Sequence, residues 1–191
     1  MNLALVSKPY TEIRLNLGCG ADIRKGYVNV DLHGSPDVTL DLNSANWPWE
    51  DNSVQEVAMY HVLEHLPDTI QVMRELYRIC RDGAKVHIRV PHPRHDDFLS
   101  DPTHVRPITI KLLWLFSKRQ CQFWKESKSA NTPLATIHNV DFEVTESFYN
   151  IEQMWMDRVT TGVMTQQQLE EASVTLCNVI REIDVTLKVC K

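Results

Sequence analysis

Ile13-Arg14-Leu15-Asn16-Leu17 runs straight into Gly18-Cys19-Gly20, and shortly afterwards Tyr27-Val28-Asn29-Val30-Asp31 alternates apolar and polar positions. The first stretch reads as a β-strand ended by a glycine pair, the second as a short strand ended by an acid. Glycines at such a turn can take backbone angles forbidden to other residues and let a ligand approach the chain closely. The turn alone is a weak signal, because tight turns use the same residues for packing. Asp31 strengthens it. A carboxylate at the end of the next strand can accept both hydroxyls of a ribose, and a hydrogen bond to a charged group contributes roughly 1.5–3 kcal/mol.

Working outward, Val38–Leu40 and Val54–Tyr60 read as the third and fourth strands, joined through the turn-rich Trp47–Asn52. Pro67 and Asp68 suit a helix start. Ile70, Met73, Leu76, Tyr77 and Cys80 fall at helical spacing, with Gly83 as a left-handed stop. Ala84–Val90 is a fifth strand, Thr109–Ser117 a short helix and Phe142–Asn150 a sixth strand. Thr165–Arg181 reads as a helix capped by Thr165, and Ile183–Val189 alternates as a final strand. Strands interleaved with helices predict an α/β, Rossmann-like, doubly wound and mostly parallel seven-stranded sheet. Its last strand is antiparallel and its N-terminal helices are reduced. Ligands of such sheets bind beyond the carboxyl ends of the strands, at the switch in strand order.

The 191 residues suit one domain over 1–191, with 91–140 a substrate-side loop and helix region and 152–182 an insertion before the last strand. That insertion can serve as a lid, a homodimer contact or a substrate selector, beside the plainer role of a surface helix. Five scattered cysteines without CxxC spacing suggest neither a disulfide framework nor a thiolate zinc site. Residues 1–12 lack a signal-peptide layout and no apolar run reaches membrane-spanning length, so a cytoplasmic protein without a membrane partner is expected. A net charge of −5 disfavours nucleic acid as a partner. Lys85–Lys128, however, holds nine Lys/Arg against four Asp/Glu. This reads either as a solvated basic face or as a site for an anionic small molecule.

A dinucleotide would want a third glycine and a helix N-terminus at its pyrophosphate. Asp22 stands at that third position, and the interval to the second strand is too short for a full helix. A carboxylate repels pyrophosphate, whereas the sulfonium of S-adenosylmethionine (SAM) meets no such objection.

Leu15–Gly20, Asn29–Asp31, Asp41-Leu42, Trp47–Ser53 and His61-Val62-Leu63-Glu64-His65-Leu66 together resemble, in order, the landmarks of the class I SAM-dependent methyltransferases, in the compact form of the methyltransferase-11 type. The resemblance spans Ile13 to Val90. It implies SAM as cofactor, held by Asn16, Gly18, Cys19, Gly20, Asp31, Leu32, Asp41, Leu42 and His61. Three departures stand out. Asn16 replaces the usual acid, Asp22 replaces the third glycine, and the first crossover helix is nearly deleted.

His61–His65 also spells H-x-x-E-H, a zinc-peptidase pattern that needs both histidines on one helical face. A strand before His61 and Pro67 after His65 argue for a loop, where Glu64 and His65 would cap the helix or fix the loop. Pro91–Asp97 and Asp101–His104 overhang the substrate side, with His92, His95 and His104 open to substrate binding, proton transfer, structure or metal binding. His95, His104 and His61 are the catalytic candidates, and no metal ligand is assigned. Arg94 and Arg106 could clamp an anion. Trp114, Phe116, Phe123 and Trp124 read as core or interface. The leading expectation is methyl transfer from SAM to a small or anionic acceptor. SAM binding without methyl transfer is the alternative, and a metal-dependent hydrolase ranks third.

Overall fold

Polar and apolar residues alternate along most strands, which assigns each side chain to one of two sheet faces. The computed structural model describes residues 12–191. The reading of the first residues as lacking a leader therefore lies almost wholly outside the described residues. Seven strands form one sheet: β1 Ile13–Leu17, β2 Val28–Asp31, β3 Val38–Thr39, β4 Val54–Tyr60, β5 Cys80–Pro91, β6 Phe142–Ile151 and β7 Ile180–Val189. Their order is β3-β2-β1-β4-β5-β7-β6. Neighbours from β3 to β5 pair in parallel, and β7 runs antiparallel to both β5 and β6. This is the expected doubly wound α/β sheet with an antiparallel last strand. Strand order reverses between β1 and β4, which puts the ligand-binding crevice at their carboxyl ends.

The main core occupies one face only. Leu15, Leu17, Val57, Met59, Val86 and Ile88 pack there against helix α1, Thr69–Ile79, through Val72, Met73 and Leu76. The opposite face is polar. Register aligns Tyr60, Arg89, Asp184 and Phe148 in one row across four strands. Arg89 donates to Asp184 at 2.8 Å and lies over the Tyr60 ring. Glu56 accepts from the Tyr27 hydroxyl at 2.7 Å and lies 3.4 Å from His87. Parallel sheets are usually covered on both faces. Here the crossovers after β1, β2 and β3 contain no helix, and charge pairing replaces an apolar layer on that face.

Several expected boundaries shift. Pro67 does not open α1; Asp68 caps it, accepting from Gln71 N–H, and the buried stripe runs through Val72, Met73, Leu76 and Ile79. Gly83 does not stop it either. Cys80, fully buried, turns extended at once and begins β5, and Gly83 (φ 74°) sits where the pairing with β4 slips between Cys80 and Lys85. Between β5 and β6 lie α2 Asp96–Leu99, α3 Ile110–Trp114, α4 Lys118–Glu126 and α5 Leu134–Ile137, of which only α3 is foreseen.

The 152–182 segment is a pair of helices, α6 Gln153–Thr160 and α7 Gln166–Thr175, with its own small core of Trp155, Leu169, Ala172 and Val179. Thr165 caps α7 in a reciprocal capping box with Gln168. The helix does not reach Arg181, because from Ile180 onward β7 pairs with β5 and β6 and sheet bonding overrides the helical spacing. No helix of the described residues is long and apolar enough to cross a membrane.

Candidate functional site

At the end of β1 the chain turns through Gly18 (φ 67°) and Gly20 (φ 49°). The two glycines differ in kind. A β-carbon on residue 18 would collide with the Val62 side chain, whereas one on residue 20 meets nothing within 4 Å. Gly18 is therefore required by the protein's own β4–α1 loop, and Gly20 leaves its space to a ligand. Gly20 N–H donates to Asp31 Oδ2 at 2.8 Å and His33 N–H to Oδ1 at 2.9 Å. Burial resists ionisation of Asp31, but the N–H groups of His33, Gly20 and Leu32 outweigh it and hold the carboxyl below its usual range. Each oxygen keeps a lone pair for a further donor. Leu32 exposes half its surface beside it.

Asn16 is buried and turned to another task. Its amide donates to Asp22 C=O at 2.7 Å and to Asn29 Oδ1 at 3.0 Å. Asn29 Oδ1 also accepts from Arg24 N–H, and the Asn29 amide donates to Asp37. These amides pin residues 22–24 to the sheet where a crossover helix would otherwise lie. Arg24 then pairs with Asp22 and stacks on Tyr60. Cys19 is buried, and burial followed by the nearby Asp31 charge pushes its thiol up, so it is a packing residue and no nucleophile. Asp41 is exposed and accepts from Asn43 N–H in a turn, with Leu42 buried behind it.

Beside this turn, across the ends of β4, β5 and β7, opens a cleft of about 600 Å³ lined by His61, Asp97, Asp101, His104, Arg181 and Glu182. His61 has φ 57°, which aims it off the strand end. Its Nε2 meets Glu182 at 2.9 Å, and its Nδ1 lies 3.6 Å from Glu64, an electrostatic contact rather than a hydrogen bond. Glu64 foremost, and Glu182, hold the imidazole above its usual value against the opposing effect of burial. His61 and His65 do not share a helical face, since only Leu63–His65 forms a single 3-10 turn. Glu64 does not cap α1 either.

The three histidines of the 92–104 segment disperse. His95 is no proton-transfer group: it is buried, its Nδ1 accepts from Asp97 N–H to cap α2, and its Nε2 lies 3.3 Å from Glu152. His92 packs edge-on to Tyr149, and burial lowers its pKa. Only His104 lines the cleft, stacked on Phe98. The basic residues disperse as well. Arg94 is spent on the carbonyls of Ser173 and Val174 at the end of α7, and Arg106 lines a separate hollow near α1. The cleft carries Asp97, Asp101 and Glu182 against Arg181, so the expected anion clamp does not form. Glu64, Arg181 and Glu182 escaped the sequence reading of the cleft. The last two precede the alternating run of the final strand by one or two positions and gain their place only from its pairing.

A doubly wound sheet of this order, with a glycine turn after β1 and an acid ending β2, defines the class I SAM-dependent methyltransferase fold. Residues 15–88 match the family model described as a methyltransferase domain. By that segment and by its fold, the chain belongs to the class I SAM-dependent methyltransferase superfamily. Its structure is similar to that of a SAM-dependent methyltransferase from Archaeoglobus fulgidus (16% identity, 93% of this chain and 86% of that one, TM-score 0.55). It is also similar to the YcgJ protein from Bacillus subtilis (14% identity, 94% and 93%, TM-score 0.52). The [4+2]-cyclase SpnF shares the fold too (13% identity, 94% and 76%, TM-score 0.53). No curated protein sequence matches the chain.

Proposed function

We propose that this domain binds SAM across the ends of β1, β2 and β4 and directs its methyl group to an acceptor in the adjoining cleft. The observation that carries the reading is the Asp31–Gly20 pair: an ionised carboxylate with free lone pairs, beside a glycine whose missing side chain leaves open space. Asp31 would take the ribose hydroxyls, Leu32 would lie on the adenine, and Asp41 with Leu42 would meet its edge. When bound, SAM supplies an electrophilic methyl on a cationic sulfur. The carboxylates of Glu64 and Glu182 around His61 provide the matching negative charge. The protein's work in such a displacement is alignment and exclusion of water.

The cleft's excess of carboxylates favours a neutral or cationic acceptor over an anionic one. Calorimetry with SAM and S-adenosylhomocysteine tests the cofactor assignment: Asp31→Ala should weaken both at least tenfold, while Asp31→Asn, which still accepts one N–H, separates ligand loss from turn collapse. Unchanged affinity in Asp31→Ala overturns the ribose contact.

A second reading, SAM binding without methyl transfer, draws on Asn16, whose amide donors are consumed inside the protein. The cyclase with this fold shows that fold and methyl transfer are separable. A screen of amine, hydroxyl and carboxylate acceptors with labelled SAM distinguishes the two, binding without turnover favouring the second.

A further inference from the structure

Glu64 is fully buried, and neither of its carboxylate oxygens has a hydrogen-bond partner among the described residues. Buried charges in proteins are paired, hydrogen-bonded or bound to metal. Two imidazoles stand with it. Glu64, His65 and His104 each offer a ligand atom, and these atoms lie within 4.8 Å of one another.

The hydrogen bonds around the two histidines decide which nitrogen each presents. His104 Nδ1 lies 2.9 Å from the Phe98 carbonyl, which can only accept, so Nδ1 carries the proton. Its Nε2 is left 4.0 Å from Glu64 Oε1 and 3.8 Å from Asp101 Oδ2. The Thr103 hydroxyl gives its proton to Asp101 Oδ1 at 2.6 Å, so toward His65 Nδ1, at 2.9 Å, it acts as acceptor. His65 Nδ1 is thereby protonated too. Both neutral imidazoles then offer Nε2 lone pairs, with their other nitrogen tied to a protein oxygen, as metal-bound histidines generally are.

We propose that Glu64, His65 and His104 form a site for a divalent transition-metal ion of zinc type. Two imidazoles and one carboxylate are the donor set of open zinc sites, which keep a further position for water or substrate oxygen. Ligands about 2.0–2.2 Å from a tetrahedral ion stand about 3.3–3.5 Å apart, so shifts of under an ångström close the present spacing. The frame is already assembled: Val105 and Arg106 N–H both donate to the Glu64 carbonyl, docking the His104 loop on the β4–α1 loop. His104 and Asp101 line the cleft, which gives the ion's open position a hydroxyl or carboxylate oxygen of an acceptor as its natural ligand. The ion would also offset the carboxylates gathered there. Nothing in this assignment depends on SAM.

Chelator-stripped protein titrated with Zn²⁺ by calorimetry, and with Co²⁺ by absorption, provides the test. One ion per chain is expected, with a cobalt spectrum free of thiolate charge transfer. Glu64→Gln and His104→Ala should each weaken binding at least 100-fold, and Thr103→Val about tenfold through loss of the His65 support. Circular dichroism reports folding of each variant, and His104→Ala decides the matter if Glu64→Gln does not fold. Absence of saturable binding, or affinity unchanged in His104→Ala, overturns the proposal.

Discussion

Val62 fills the space where a β-carbon of residue 18 would sit, so the glycine turn after β1 and the loop after β4 interlock. Gly18→Ala faces both a left-handed backbone and an overpacked contact, and should cost about 2–4 kcal/mol. Gly20→Ala meets only the backbone strain and should cost about 1 kcal/mol, with its larger effect on SAM affinity. Chemical denaturation of both variants checks the contrast. Val62→Ala should recover part of the Gly18→Ala loss in a double-mutant cycle; strict additivity would count against the interlock.

Asn16 stands where relatives of this domain carry an acid, and the surroundings explain why. Its amide N–H groups meet two acceptors, the Asp22 carbonyl and Asn29 Oδ1. Asn16→Asp sets a carboxylate against both and should destabilise by about 2–4 kcal/mol, more than Asn16→Ala at about 1–3 kcal/mol. Urea midpoints order the two. A stable Asn16→Asp variant would show that residues 22–24 are held by something else.

Acid should loosen the fold through Glu75. Burial resists ionisation of this carboxyl, but the Arg78 guanidinium and the Trp47 N–H outweigh it and hold its pKa below the ordinary 4.5. A carboxyl depressed on folding contributes its full stability above that ordinary value and loses it as pH falls through the folded one. Stability should therefore decline on acidification below about pH 4.5. Glu75→Gln should flatten this acid limb while lowering stability at pH 7 by about 1–3 kcal/mol. Thermal melts between pH 3 and 7 on wild type and variant (the ordinary carboxylate range, roughly) supply the measurement.

His95 serves as a cap and not as a base. His95→Asn keeps an acceptor for Asp97 N–H and should leave stability close to wild type, while His95→Ala should lose about 1 kcal/mol. Turnover, once an acceptor is found, should stay within about twofold in His95→Asn. A loss of kcat far beyond this, in a stable variant, would return His95 to the chemistry.

Strands β1 and β4 are read from sequence to the residue, because each is a short apolar-rich run ended by a glycine turn or a polar loop. The same holds for the glycine turn and Asp31, since both follow directly from where their strands stop. Helix ends were less legible. Cys80 and Leu176 continue a helical spacing, yet both adopt extended backbone as the chain approaches or enters a strand. Sequence spacing records local periodicity, and strand pairing is not local.

Asn16–Gly20 and Asp31 were determined by the sequence alone: their class of fold and their place at the switch in strand order need only neighbouring residues. What Gly18, Asn16 and His95 do was decided by tertiary structure, because Val62, Asn29 and Glu152 reach them from other strands and loops. Glu64 meets His104 in the same way, across two loops that only the finished sheet brings together. Side-chain chemistry is carried in the chain, but the partner that spends it is chosen by packing.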